Sequence, residues 1–388
     1  MTFKPLFSKS LSAAPGRLHF AAHSHHLWPD ASFKGQVECW NDAARLADNK
    51  WDRIMGEVWP EAQANVAAEL GSGDPSAIVF ASNTHDFLIR LAAACPRREG
   101  AALRVLMSDG EFHSARRQMA RWQEAGEMVL VKVAAEPFDD FSERFLEEAR
   151  SGEFDIILVS HVLFNSGRTF DALRELAALA RPEGPWVVID AYHSFMAIPA
   201  PVDAEVAGSA FVLGGGYKYA MSGEGMGFMH CPPGFGPRPL LTGWFAEFGE
   251  LTAPPGSQVG YTRDAMRFMG ATFDASALYR FNSIQRALKA NGVVTQRVAT
   301  RMADLQAQLL NAISGTALGK SELLNPLDNG PHARFLAFRS ENAQRWSAEL
   351  MARNCVTDVR GDILRIGFGL YHDEGDVEAL ARLVAGLG

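Results

Sequence analysis

Two residues in the middle of the chain, Asp190 and Lys218, have types and surroundings suited to one kind of chemistry. Asp190 ends the apolar run Trp186-Val187-Val188-Ile189, which reads as a strand buried on both faces, as in a parallel sheet covered by helices. Ligands of such sheets sit beyond the carboxyl ends of the strands, where Asp190 falls. A second apolar run, Ala210 to Leu213, passes into Gly214-Gly215-Gly216 and then Tyr217-Lys218. The glycines let backbone approach something bulky and leave one lysine exposed at a loop. A lysine that forms a Schiff base and a carboxylate that partners a pyridinium nitrogen are the two groups pyridoxal 5′-phosphate (PLP) needs. Singly each has a plainer reading, a strand-end cap and a solvated amine; the pair is what points to the cofactor.

Such a pair needs a scaffold of strands and helices. Strands are predicted at Ile78-Val79-Phe80, Arg104 to Met107, Met128 to Val133 and Phe154 to Ser160, with helical segments at Phe87 to Ala94 and Asp139 to Ala149. Their alternation up to residue 190 argues for right-handed βαβ units and a mostly parallel sheet, hence an α/β fold. The turn Ala81 to Asp86 puts small polar residues at a helix start, where they cap the helix or bind a phosphate. From about 275 a smaller unit is expected: helices 275–290 and 293–313, then strand, helix, strand, strand and helix. Within it, Arg365 stands in an apolar strand with Ile363, Leu364 and Ile366, so it needs a partner, either a structural ion pair or a bidentate carboxylate. Trp40, Trp51 and Trp59 fall in a helical pattern and are expected to pack. His23, His25 and His26 lack acidic or cysteine partners at ligand spacing, so no metal site is expected.

With 388 residues the chain can bury a large core, enough for two domains. Hydrophobic residues at 47% and charged residues at 21% are ordinary for a globular enzyme. A net charge of −8 with no basic block argues against a nucleic-acid or anionic-membrane surface. No apolar run approaches membrane-spanning length, and residues 1–20 hold no signal-peptide pattern, which makes the cytoplasm the default expectation. The 4 cysteines are scattered, so neither a disulfide framework nor a zinc site is indicated.

His193 follows Asp190 by three residues, and Tyr217-Lys218 follow it by 27 and 28. In this block the chain resembles the class V aminotransferase family of PLP enzymes (fold type I). Its D-x-x-H turn and Y-K pair are similar to the kynureninase branch, whereas cysteine desulfurases carry D-x-x-Q and H-K. The resemblance implies a large domain on a mostly parallel seven-stranded sheet plus a smaller α+β C-terminal domain. Residues 1–45 would form an N-terminal segment packing on the small domain and the substrate entrance, 46–265 the PLP-binding domain, and 266–388 the small domain. It implies PLP on Lys218, Asp190 on the ring nitrogen, His193 beside Asp190 or the ring, and Tyr217 on the phosphate. The Ser82–Asp86 turn falls on the desulfurases' S-G-A-T-E and assigns Thr84 and His85 to the phosphate. Glu111-Phe112-His113-Ser114 resembles the family's E-H-x-A or E-F-P-S, with Phe112, or else His113, stacked on the ring. Asn165 corresponds to a contact to the PLP 3′-oxygen, a turn role being equally open.

On the substrate side, kynureninases carry G-N-S-L-G-L-x-P near the N-terminus. Here Ser24, Leu27 and Pro29 match while His23 and His26 differ, and His23 and Ser24 would border the substrate. Gly243-Trp244-Phe245 resembles G-W-F, whose indole lines the pocket for an aromatic substrate. Phe268 to Thr272 corresponds to a segment reaching the partner subunit's phosphate, through Thr272, but lacks the asparagine of the kynureninases' S-N-P-P. Arg365, six residues before Tyr371, fits the family's arginine for the substrate α-carboxylate. Together these imply a homodimer with interface active sites and hydrolytic Cβ–Cγ cleavage of a kynurenine-type amino acid to an anthranilate-type acid plus alanine. Transamination, desulfurase or sulfinate-lyase chemistry, and a non-catalytic ligand-binding protein are the alternatives. Sulfur transfer needs a thiol on a mobile loop, whereas Cys355 reads as an apolar filler on a strand edge.

Overall fold

The computed structural model describes residues 2–97, 100–250, 258–327 and 331–387. Its centre is a seven-stranded sheet of β2 (Ile78–Ala81), β3 (Leu103–Ser108), β4 (Met128–Val133), β5 (Ile156–Ser160), β6 (Trp186–Asp190), β7 (Phe211–Gly215) and β8 (Gly227–His230), in the order β2-β8-β7-β6-β5-β3-β4. Only β8 runs against the others, pairing antiparallel with β2 and β7. Every residue of β5 and β7 is buried, which is why these strands read as unbroken apolar runs. The α/β expectation and its mostly parallel seven-stranded sheet are therefore observed.

The C-terminal part forms a second sheet, β9 (Glu322–Leu323), β10 (Phe335–Arg339), β12 (Asp358–Arg360) and β13 (Ile363–Gly367), ordered β12-β13-β10-β9 and antiparallel throughout. The N-terminal β1 (Leu18–His19) pairs in parallel with β11 (Cys355–Val356), so the first residues reach the C-terminal unit. The following segment meets it again where Ala21 bridges Gly367. The helix Ser276–Ala290 packs along the helices Asp30–Leu46 and Trp59–Leu70. Trp59 is buried and Trp51 partly so, but Trp40 is 69% exposed, on the outer face of its helix, so the packing expected of all three tryptophans holds for two.

The parallel strands end on one edge, and their loops carry Asn83, Phe112, Ser160, Asp190 and Lys218 to it. Close backbone approach is what two glycines supply there. A Cβ on Gly227 would lie 2.5 Å from the Asn83 backbone, and one on Gly215 would lie 2.6 Å from the Tyr192 hydroxyl. Among the described residues no helix is long and apolar enough to cross a membrane, and no cluster of three or more metal-ligating side chains occurs.

Candidate active site

A cavity of about 360 Å³ opens at the carboxyl ends of the parallel strands, between the large sheet and β12–β13. It gathers Asp190, His193, Tyr217, Lys218, Thr84, His85, Phe112, Arg365, His23 and Ser24, ten of the residues singled out in the sequence. A larger hollow of about 690 Å³ lies elsewhere, but its arginines are already engaged, Arg174 with Asp203 and Arg168 with Asp139.

The floor is built from the β6 and β7 ends. Lys218 Nζ lies 2.6 Å from His193 Nε2, 4.9 Å from the centre of the Tyr192 ring and 5.6 Å from that of Phe112. Burial, reinforced by the Arg365 charge and opposed by Asp190, lowers the lysine to about 7, so a large fraction is free amine near neutrality. Burial also pushes His193 well below the ordinary imidazole range. The ring is therefore neutral, and its Nδ1 is a buried atom with no partner. Asp190 receives one hydrogen bond, from Tyr192 N at 2.9 Å, and burial raises its carboxyl. The hydrogen bond that His193 makes here is with Lys218, a contact the sequence did not suggest.

The far end is the start of the Thr84–Ala94 helix. Asn83 caps it by accepting from Asp86 N at 3.0 Å, while Thr84 and His85 face the cavity with the first helical turn. A helix start of this kind attracts an anion through its free N–H groups and dipole. Beside it, Glu111 accepts from Ser108 Oγ at 2.6 Å and from Ser160 N at 3.1 Å, which ties the Phe112 loop to β5. Burial raises Glu111 to about 7.

The opposite wall comes from the small sheet. Asp358 stands directly across from Arg365 in the β12–β13 register, and Arg360 lies on the same face two residues on. Arg365 donates through Nη2 to Asp358 and through Nη1 to the Phe164 carbonyl, leaving its buried Nε unpaired. Arg360 Nε sits 3.5 Å from the other Asp358 oxygen, and His23 Nε2 is 3.7 Å from Asp358 Oδ2. His23 is fully buried, stacked on Phe335 at 4.7 Å, and neither of its ring nitrogens has a hydrogen bond.

Four expected residues are not brought to this cavity. His113 turns away to Arg116, whose Nη2 lies 2.8 Å from its Nδ1, while Phe112 lines the cavity. Asn165 stays outside because its neighbour Phe164 fills the wall; its Oδ1 is buried and unpaired. Trp244 packs on Phe245 with ring centres 4.1 Å apart, and Thr272 is exposed. The segments that carry these last two meet where Phe245 N donates to the Gly270 carbonyl at 3.2 Å. Reasoning from sequence in turn missed Tyr192, Asp358 and Arg360. Tyr192 lay inside the block already singled out, whereas Asp358 and Arg360 look like ordinary charges of a hairpin.

The family profile named aminotransferase class-V matches residues 48–321, and the chain belongs to that family. Its sequence is 29% identical to a kynureninase of Deinococcus radiodurans, over 94% of this chain and 82% of that protein. It is 27% identical to an isopenicillin N epimerase of Streptomyces clavuligerus over 55% of this chain and 54% of that one. Among solved structures, a cysteine desulfurase from Thermococcus onnurineus NA1 superposes with a TM-score of 0.80 at 17% identity, covering 100% of this chain and 99% of that one. The cysteine desulfurase CsdA of Escherichia coli gives 0.77 at 16%, covering 98% and 96%. These two likenesses establish the PLP fold type I architecture.

The cofactor is pyridoxal 5′-phosphate. The residues fit it: one desolvated lysine amine, one buried carboxylate for a ring nitrogen, an aromatic face at Phe112, and a helix start for a phosphate. Buried unpaired nitrogens, His193 Nδ1 and His85 Nδ1, add polar groups that a bound molecule can satisfy.

Proposed function

We propose that this PLP enzyme is a hydrolase of kynureninase type, a cytoplasmic homodimer that cleaves the Cβ–Cγ bond of a kynurenine-type amino acid to give an anthranilate-type acid and alanine. The observation that carries the reading is the similarity to the Deinococcus radiodurans kynureninase, which extends over 94% of the chain and so takes in the large sheet and most of the small one. PLP, when bound, supplies a sink for the electron pair left on the amino-acid carbon.

The chain's own side chains do the rest. Lys218 holds the cofactor and, once released, moves the substrate proton as base and then acid, for which an amine near 7 is suited. His193 positions that amine, and Asp190 keeps a ring nitrogen protonated. Thr84, His85 and Tyr217 hold the phosphate, and Phe112 covers the ring. Arg365 takes the α-carboxylate, with His23 and Ser24 bordering the substrate. Asn165 acts from behind Phe164 on the cofactor's 3′-oxygen side. Trp244 and Thr272 serve the site of a second copy, Trp244 toward an aromatic substrate and Thr272 toward the phosphate.

Desulfurase chemistry is the second reading, favoured by the architecture shared with the Thermococcus onnurineus NA1 desulfurase. It requires a thiolate within reach of the substrate. None of the four cysteines lines the cavity, and burial pushes the Cys355 thiol up to about 12.

The test is mass-resolved turnover by PLP-loaded protein, with Lys218→Ala as blank, offering kynurenine, 3-hydroxykynurenine, cysteine and cysteine sulfinate. The expected result is an aromatic acid with equimolar alanine, absent from the blank. Release of sulfide or sulfite, or formation of an oxo acid, without any aromatic acid would overturn the hydrolase reading.

A further inference from the structure

Two guanidiniums face the substrate end of the cavity, and they are not equivalent. Arg365 is 3% exposed and both of its terminal nitrogens are taken, by Asp358 and by the Phe164 carbonyl. What it offers the cavity is Nε, enough for one oxygen of an α-carboxylate. Arg360 is 46% exposed and lines the same cavity. Among the described residues its one ion-pair contact is Nε to Asp358 Oδ1 at 3.5 Å, which leaves its terminal nitrogens unpaired. Asp358 sits between the two and holds them on one face of the hairpin. With the α-carboxylate on Arg365 and Cα beside Lys218, the part of an amino acid left to meet Arg360 is its β-substituent.

We propose that Arg360 binds the oxygen atoms of the substrate's β-substituent, so that the site selects amino acids with a charge-accepting oxygen at the γ position over thiols and plain alkyl chains. This deepens the hydrolase reading and rests on it. In that reaction water adds its oxygen to Cγ, the carbonyl π pair moves onto the carbonyl oxygen, and the water's proton leaves to a base of the site. Collapse re-forms a C=O bond and breaks the Cβ–Cγ bond with its electron pair left at Cβ, where a proton takes the place of Cγ. The negative oxygen of the first step is where a fixed guanidinium contributes most, because charge develops there only in the transition state. A planar fork that meets two oxygens suits that adduct as it suits a carboxylate.

The test is calorimetric titration of PLP-loaded wild type, Arg360→Gln and Arg360→Lys with aspartate, asparagine and 2-aminobutyrate. Aspartate places charged oxygens at the γ position, asparagine a neutral one, and 2-aminobutyrate none. Wild type is expected to bind aspartate at least about tenfold more tightly than 2-aminobutyrate, the worth of one hydrogen bond to a charged group. Arg360→Gln should abolish that difference while 2-aminobutyrate affinity stays within about twofold, and Arg360→Lys should keep part of it. Equal weakening for all three ligands would overturn the proposal, since Arg360 would then act on the shared α-amino acid part or on folding. An unchanged aspartate affinity in Arg360→Gln would overturn it as well, leaving a solvated arginine. Wild type that binds 2-aminobutyrate as tightly as aspartate removes the β-oxygen contact but leaves the amino-acid site standing. Wild type that binds none of the three removes both.

Discussion

The two walls of the cavity handle charge in opposite ways. On the large-sheet side, Lys218, His193 and Asp190 are desolvated with few partners, and each is shifted toward its uncharged form. On the small-sheet side, Asp358 is set between Arg360 and Arg365 and contacts both. The lesson is one of role. Lys218, which must gain and lose a proton in the proposed reaction, is paired with a neutral imidazole, whereas Arg365, which must hold its charge, is given a carboxylate.

The largest expected effect falls on the first wall. Lys218→Ala should lower turnover by at least about a thousandfold, the upper part of the range for a lost proton-transfer group, measured as the rate of product formation. Next comes the paired wall. Arg365→Gln breaks a buried pair, so the melting temperature should fall by an amount equivalent to about 3 kcal/mol, seen by calorimetry. KM should rise more than kcat falls in the same variant. If KM is unchanged while stability drops, Arg365 is structural and the two walls differ less than described.

A pH experiment sharpens the contrast further. With Lys218 lowered to about 7 in the folded chain against 10.5 ordinarily, the unfolded chain binds more protons between those values. This group's contribution to stability therefore becomes more favourable as pH rises from about 7 toward 10.5. Cofactor uptake by protein freed of PLP needs the neutral amine. Its rate, followed by visible absorbance, should rise about tenfold per pH unit below 7 and level off above it. A rate still climbing at pH 9 would mean an ordinary surface-like lysine. The smallest expected effect is that of Cys355→Ala, which should leave turnover within about twofold, because a buried thiol on a strand serves packing. A large loss of turnover in that variant would favour sulfur chemistry.

What the sequence could reveal follows the same division. Asp190, Lys218, Thr84, His85 and Phe112 were legible because each sits where an apolar strand stops or a helix starts, and local pattern fixes that position. Asn165 lies in an irregular loop, where no alternation says which side chain faces the cavity, and Phe164 is the one that lines it. His113 was open as a stacking residue until the start of its own helix turned it to Arg116. The small-sheet wall was half legible. Arg365 stood out as a charge in an apolar strand, but Asp358 and Arg360 became meaningful only through the β12–β13 register, a long-range pairing that short-range pattern does not encode. Trp244 and Thr272 depend on contacts between distant segments for the same reason.

The most direct test of the proposed cleavage is turnover of kynurenine in water enriched in oxygen-18, with both products analysed by mass. Hydrolytic Cβ–Cγ cleavage puts one heavy oxygen into the carboxyl group of the anthranilate and none into the alanine. An oxo acid, or aromatic product without the heavy oxygen, would contradict cleavage by water at Cγ.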